Sequence, residues 1–164
     1  GKPHGNGALC YMGNVYKGTW TDGQQKRKGV CEYFNGDVYE GDFENNLPNG
    51  AGEHRTHEGD VFVGVFKAGK KQGKGKLSYA NGDVFAGEFE KGVVTGKGTL
   101  TLDGGNFTYS GGFLNSLMHG EGVATQKFPN KSSVTFKGEF ARGLREGYGI
   151  LTSQNEEYKG EWKN

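Results

Sequence analysis

The chain has 164 residues, about one domain's worth, with 20 basic and 19 acidic residues and a formal charge of +1, a balance that calls for no nucleic acid or anionic surface as partner. Glycine supplies 32 residues against only three prolines and 13% aromatics; at roughly a fifth of the chain against a usual ~7%, this excludes both a collagen triplet and simple disorder and leaves an ordered repeat. No apolar run is long enough to span a bilayer or to act as a signal, and two cysteines fall short of a disulfide framework, which favours a reducing, cytoplasmic setting.

From the N-terminus, Gly5 and Gly7 form a Gly-any-Gly pair, so residues 1–15 read as the second half of a repeat. The chain opens on Gly1 rather than Met, and the expectation is an excerpt of a longer protein. A phrase of the form aromatic-any-Gly-any-aromatic then recurs seven times. It reads Tyr16-Gly18-Trp20, Tyr39-Gly41-Phe43, Phe62-Gly64-Phe66, Phe85-Gly87-Phe89, Tyr109-Gly111-Phe113, Phe136-Gly138-Phe140 and Tyr158-Gly160-Trp162. Successive starts are 23, 23, 23, 24, 27 and 22 residues apart. A Gly-any-Gly pair follows each of the first six starts by 11 residues, with Arg27 in place of the first glycine at 27/29. Six repeats over 16–157 and a final half repeat over 158–164 make one array.

Each unit reads as two strands. Residues two apart share a face, so Tyr39, Gly41 and Phe43 line up while Glu40 and Asp42 point away. A glycine beside a ring has no Cβ and lets the ring lie across it. The column four residues after the first Gly position is mostly apolar: Leu9, Cys31, His54, Leu77, Leu100, Ala124 and Leu151. "NGD" at 35–37 and 81–83 predicts turns; "ENNLPN" (44–49) and "KAGKKQ" (67–72) read as loops at the other end. No segment holds a 3.6-residue period, so almost no helix is expected.

Phrases such as "YEGDF" and "YKGEW", a Gly-any-Gly pair and a period near 23 make the chain similar to MORN repeats (membrane occupation and recognition nexus). That resemblance covers essentially the whole chain. It implies an all-β fold: an elongated, twisted, single antiparallel sheet of about seven tandem hairpin repeats with little or no helix. It also implies a non-catalytic role in cytoskeletal or membrane-junction scaffolds, or as a regulatory segment of a larger enzyme, with a proposed lipid association. The chain departs from the pattern at Gly104–Gly105, where one residue is extra, and between Gly122 and Phe136, where the linker is 13 residues rather than the 9 between Gly75 and Phe85. Pro129 and two serines there suggest a bulged loop over 127–133, read as a tolerated insertion or a partner-specific contact.

Enzyme chemistry finds little footing. "GKKQGKGK" resembles a phosphate loop, but three residues rather than four separate Gly69 from Gly73, and no Ser or Thr follows Lys74. No cofactor is implied. Cys31 and His54 share a column of successive repeats about 9.5 Å apart, too far for one zinc within the chain, and Cys10 and Cys31 should face opposite sides; no metal is expected. Lys67, Lys70, Lys71 and Lys74, with Lys76 and the basic run Lys26, Arg27 and Lys28, form a candidate rim for lipid headgroups or an acidic partner, weighed against a solvated edge that also carries Asp22, Glu44 and Glu90. The fourteen aromatics of the phrase read as structural. A flanking column of Tyr11, Tyr33 and Tyr79, thinning to Thr56, Leu102, Gln126 and Ser153, reads as an open groove for a helical or extended peptide. Tyr158 and Trp162, on the last strand, are candidate contacts in a homodimer. The expected function is a protein-interaction scaffold in the cytoplasm, associated with cytoskeleton or membrane; the alternative is a phosphoinositide-binding module.

Overall fold

The computed structural model describes residues 1–163, apart from the side chain of Lys26. The chain divides between Ala80 and Asn81 into two compact units. The first holds β1 (Gly5–Tyr11), β2 (Asn14–Thr21), β3 (Gln24–Glu32), β4 (Val38–Glu44), β5 (Leu47–Arg55), β6 (Val61–Lys67) and β7 (Lys70–Ser78). The second holds β8 (Val84–Glu90), β9 (Val93–Leu102), β10 (Phe107–Leu114), β11 (Leu117–Lys127), β12 (Ser133–Ala141), β13 (Leu144–Thr152) and β14 (Glu157–Trp162). Within each unit every strand pairs antiparallel with the next, as tandem hairpins require. Among the described residues the only helical element is the 3₁₀ turn Asp103–Gly105, where repeat five carries its extra residue.

The register explains the glycines. In the first unit Gly7, Gly18, Gly29, Gly41, Gly52, Gly64 and Gly75 stand opposite one another in file, one on each strand. In the second unit Gly87, Gly98, Gly111, Gly122, Gly138, Gly149 and Gly160 do the same. Each file is a trench without side chains, and from Tyr39 on the first ring of each phrase lies in it. A Cβ on Gly64 or Gly75 would come within 2.6 or 2.5 Å of the Phe62 ring. In this way a single layer of sheet buries large rings: Tyr39, Tyr109 and Phe136 are wholly inaccessible.

From Tyr39 on, the second ring of each phrase stands edge-on to the first. Tyr39 meets Phe43 at 5.0 Å and Phe66 of the next repeat at 4.9 Å between centroids. The seam runs on through Phe62–Phe66 in the first unit. In the second it passes through Phe85, Phe113, Tyr109, Phe140, Phe136 and Trp162 at 4.9–5.2 Å. Burying such a ring is worth about 1.5–3 kcal/mol, and each edge-to-face pair adds about 0.5–1.5 kcal/mol.

Repeat one breaks the seam. Gln25, wholly buried, lies over Gly18 and Gly29 where the Tyr16 ring would seat, and its Nε2 donates to Lys17 O at 3.4 Å. Tyr16 is left half-exposed.

Two sequence expectations need correction. The segments 44–49 and 67–72 are not loops. Asn45-Asn46 and Ala68-Gly69 are two-residue turns with both φ positive, and strand resumes at Leu47 and Lys70. Such mirror-image turns match strand twist, so the hairpin closes at once. Past the first of these turns β5 carries a bulge: Gly41 pairs with Gly52 and Phe43 with Pro48, so Asp42 alone faces three residues. Gly50 takes up the irregularity at φ 104°, and Asp42 Oδ2 accepts the Ala51 N–H at 3.2 Å. The first glycine of the Gly-any-Gly pair therefore serves the bulge and the second serves the ring. Arg27 occupies the bulge position of repeat one at φ 63°.

The linker over 127–133 is likewise not a bulged loop. Its four extra residues form two more cross-strand pairs, Gln126 with Val134 and Lys127 with Ser133. The hairpin then closes in a tight turn, with Phe128 N–H to Ser132 O and Lys131 N–H to Phe128 O, both 2.9 Å.

Candidate partner surface

One edge of the first unit is formed by turns that share a hydrogen-bond ladder. Asn14 Oδ1 accepts the Phe34 N–H at 2.9 Å, Asp37 Oδ1 the His57 N–H at 3.0 Å, and Asp60 Oδ1 the Ala80 N–H at 2.9 Å. Donor and acceptor are always 20 residues apart, so each turn docks on the one before it. The "NGD" turn is closed by Gly36 N–H to Tyr33 O at 2.9 Å and Tyr33 N–H to Asp37 O at 2.8 Å, with Gly36 at φ 89°.

This edge carries the tyrosine column. Tyr11, at the end of β1, is 62% exposed; Tyr79, just beyond β7, is 36% exposed. Tyr33 is half-buried, edge-on to His54 at 6.3 Å. Burial, with the Cys31 thiol beside it, pushes the Tyr33 phenol well above its ordinary value. Thr56 interrupts the column and accepts the Asp60 N–H on its hydroxyl at 3.0 Å. Met12 and Phe34, at neighbouring turn tips, are 79% and 81% exposed, and Phe34 Cβ stands against Gly13.

Behind Phe34 is a hollow of about 280 Å³ lined by Asn14, Tyr33, Phe34, Asn35, Asp37 and His54. Asp37 is mostly enclosed. Its carboxylate faces His54 Nε2 at 3.3 Å and His57 Nδ1 at 3.4 Å. Burial raises the Asp37 pKa, but the His57 N–H, Asn35 and the histidines outweigh it and hold the group below the ordinary carboxylate value. Burial depresses the His54 pKa, with Lys71 reinforcing and Asp37 opposing. Cys31, buried between Tyr16 and Tyr33, has its thiol pushed up by burial; Cys10 is exposed, and neither forms a disulfide.

The lysines lie in different surroundings. Lys67 and Lys70 face each other across the Ala68-Gly69 turn, and Lys70 and Lys74 are exposed. Strand alternation sends Lys71 to the ring face, where its ammonium lies 5.0 Å above the Phe62 ring and burial lowers its pKa. The Lys26 side chain lies outside the described residues; Arg27 and Lys28 are exposed. In the second unit Tyr158 is 53% exposed on β14, while Trp162 is half-buried against Tyr158, Phe136 and the Arg145 guanidinium at 5.2 Å. Of the fourteen phrase aromatics, Trp20, Phe43, Phe66, Phe89, Phe113 and Phe140 are buried as second rings; Tyr39, Phe62, Phe85, Tyr109 and Phe136 are buried as first rings.

Sequence reading missed Phe34, Asp37 and His54 as neighbours. The signal available was the column Asn14, Asp37, Asp60 and Asp83, which recurs every 23 residues. Among the described residues no group of three His, Cys, Asp or Glu side chains is arranged to hold a metal. Among the described residues no helix is long and apolar enough to cross a membrane.

Hairpins of near-constant period, seating one ring on a glycine pair in every repeat but the first, define a β-hairpin repeat protein. The MORN repeat model matches residues 16–38, 39–61, 62–84, 85–107, 109–126 and 136–156, and the chain belongs to that family. No curated protein matches it. Repeats of this family are associated in general with protein or membrane interaction.

Proposed function

We propose that this segment is a non-catalytic scaffold whose turn edge in the first unit docks a helical or extended peptide of a protein partner. One observation carries the reading. The repeat rings bury themselves in the glycine trench, yet Tyr11, Met12 and Phe34 stay 62–81% exposed at neighbouring turns. Folding gains little from them there, and apolar surface of this kind marks partner sites. The test is to select peptides against the immobilised chain and to measure the best of them on wild type and on Tyr33→Ala with Tyr79→Ala. The double variant should bind at least about tenfold more weakly. Unchanged affinity in a variant with native circular dichroism would sink the groove.

A second reading, an anionic-lipid surface, is favoured by the facing pair Lys67 and Lys70 and by exposed Lys74 further along β7. Flotation with phosphoinositide vesicles would then fall steeply with salt and vanish in Lys67→Ala, Lys70→Ala, Lys74→Ala. Lys71, engaged over Phe62, contributes little to it.

A further inference from the structure

Resting on that reading of the turn edge, we infer that the hollow behind Phe34 receives an arginine side chain of the docked protein segment. Its volume of about 280 Å³ suits one long side chain rather than a whole small-molecule ligand. Among its lining residues Asp37 supplies the one formal charge, and its carboxyl stays ionised. The His57 N–H and both imidazoles face its oxygens and the Asn35 side chain also bonds to it, so the guanidinium takes the acceptor position that the exposed Asn35 gives up. His54 is kept neutral near pH 7 by burial, so it does not cancel that charge.

The walls are aromatic. Tyr33, Phe34 and His54 present ring surface, on which a planar guanidinium stacks better than an ammonium does. Phe34 is also out of pattern. In the hydrogen-bond ladder its place is taken by His57 in the next turn and Ala80 in the one after. A ring 81% exposed at a turn tip adds little to folding and is well placed to cover a guest. Exposed Met12 and Tyr11 beside it would meet apolar residues flanking the arginine.

The probe is N-acetyl-arginine methylamide, with the uncharged N-acetyl-citrulline methylamide as its isostere, titrated into the ¹⁵N-labelled full chain. The arginine compound should give saturable shifts at Tyr33, Phe34, Asp37 and His54, and the citrulline compound none. Asp37→Asn, which keeps an acceptor for the His57 N–H, should weaken binding about tenfold. Phe34→Ser, a change at an exposed tip, should weaken it also. Acidification that protonates His54 should weaken it further, because the groups facing that imidazole are Asp37, Tyr33 and, from β7, Lys71, with His57 sharing Asp37. Equal binding of the two compounds overturns the proposal, as does an absence of saturable shifts at these residues. If Asp37→Asn does not fold, undiminished affinity in Phe34→Ser overturns it. The two readings fail separately: a selected peptide that needs Tyr79 while arginine ignores the hollow leaves the scaffold and removes the site.

Discussion

At the scale of single residues, glycine in this chain answers two different demands. Gly75 has ordinary strand dihedrals, and what it needs is absence of a side chain, because a Cβ would fall 2.5 Å from the Phe62 ring. Gly75→Ala should cost about 1–3 kcal/mol through forced displacement of that ring. Gly7 stands in the same file, but nothing lies within 4 Å of a Cβ there, so Gly7→Ala should fall within about 0.5 kcal/mol of wild type. Urea unfolding of the pair checks this, and equal losses would mean the trench is not steric. Arg27 poses the second demand in reverse: it sits at φ 63° where the other repeats place glycine. Arg27→Gly should raise stability by about 0.5–1 kcal/mol, the left-handed penalty of about 1–2 less the entropy glycine adds. A denaturation midpoint that fails to rise would show that Arg27 contributes contacts worth the strain.

At the scale of the hairpin, variation within one column sets local chemistry. His54 occupies the place held by Leu77 and Leu100 in the next two repeats, pairing with Tyr39 on one side and Phe62 on the other. Burial lowers its pKa from 6.5. As pH falls through about 6.5 the unfolded chain takes up a proton that the folded chain still refuses, so folding stability drops below that value and is intact above it. His54→Leu should flatten the fall in Tm between pH 7 and pH 5, and an unchanged slope would place the acid sensitivity elsewhere. Hairpin architecture was legible because strand alternation and the 23-residue period are both local. Turn lengths were not. A bulge displaces the glycine pair from the turn by several residues, so the segments before it looked like loops.

At the scale of the whole chain, the repeat is a unit of phase. Deleting residues 41–63 joins Glu40 to Gly64 and restores the phrase as Tyr39-Glu40-Gly64-Val65-Phe66. Deleting 41–62 leaves one residue more and turns one ring to the opposite face. The first variant should keep cooperative melting and near-ultraviolet aromatic dichroism; the second should lose much of both. Two similar melting curves would argue against a ring seam fixed by register. The hairpins, the glycine files and the ring seam are written in the linear chain, because each depends on spacing within one repeat and its neighbour. The family is written there too, through six recognisable copies. Three-dimensional packing alone dictates that Gln25 takes the seat of Tyr16, that Lys71 covers Phe62, and that Phe34, Asp37 and His54 line one open hollow. Those outcomes depend on turns docking 20 residues apart and on side chains competing for one trench, which a linear pattern does not encode.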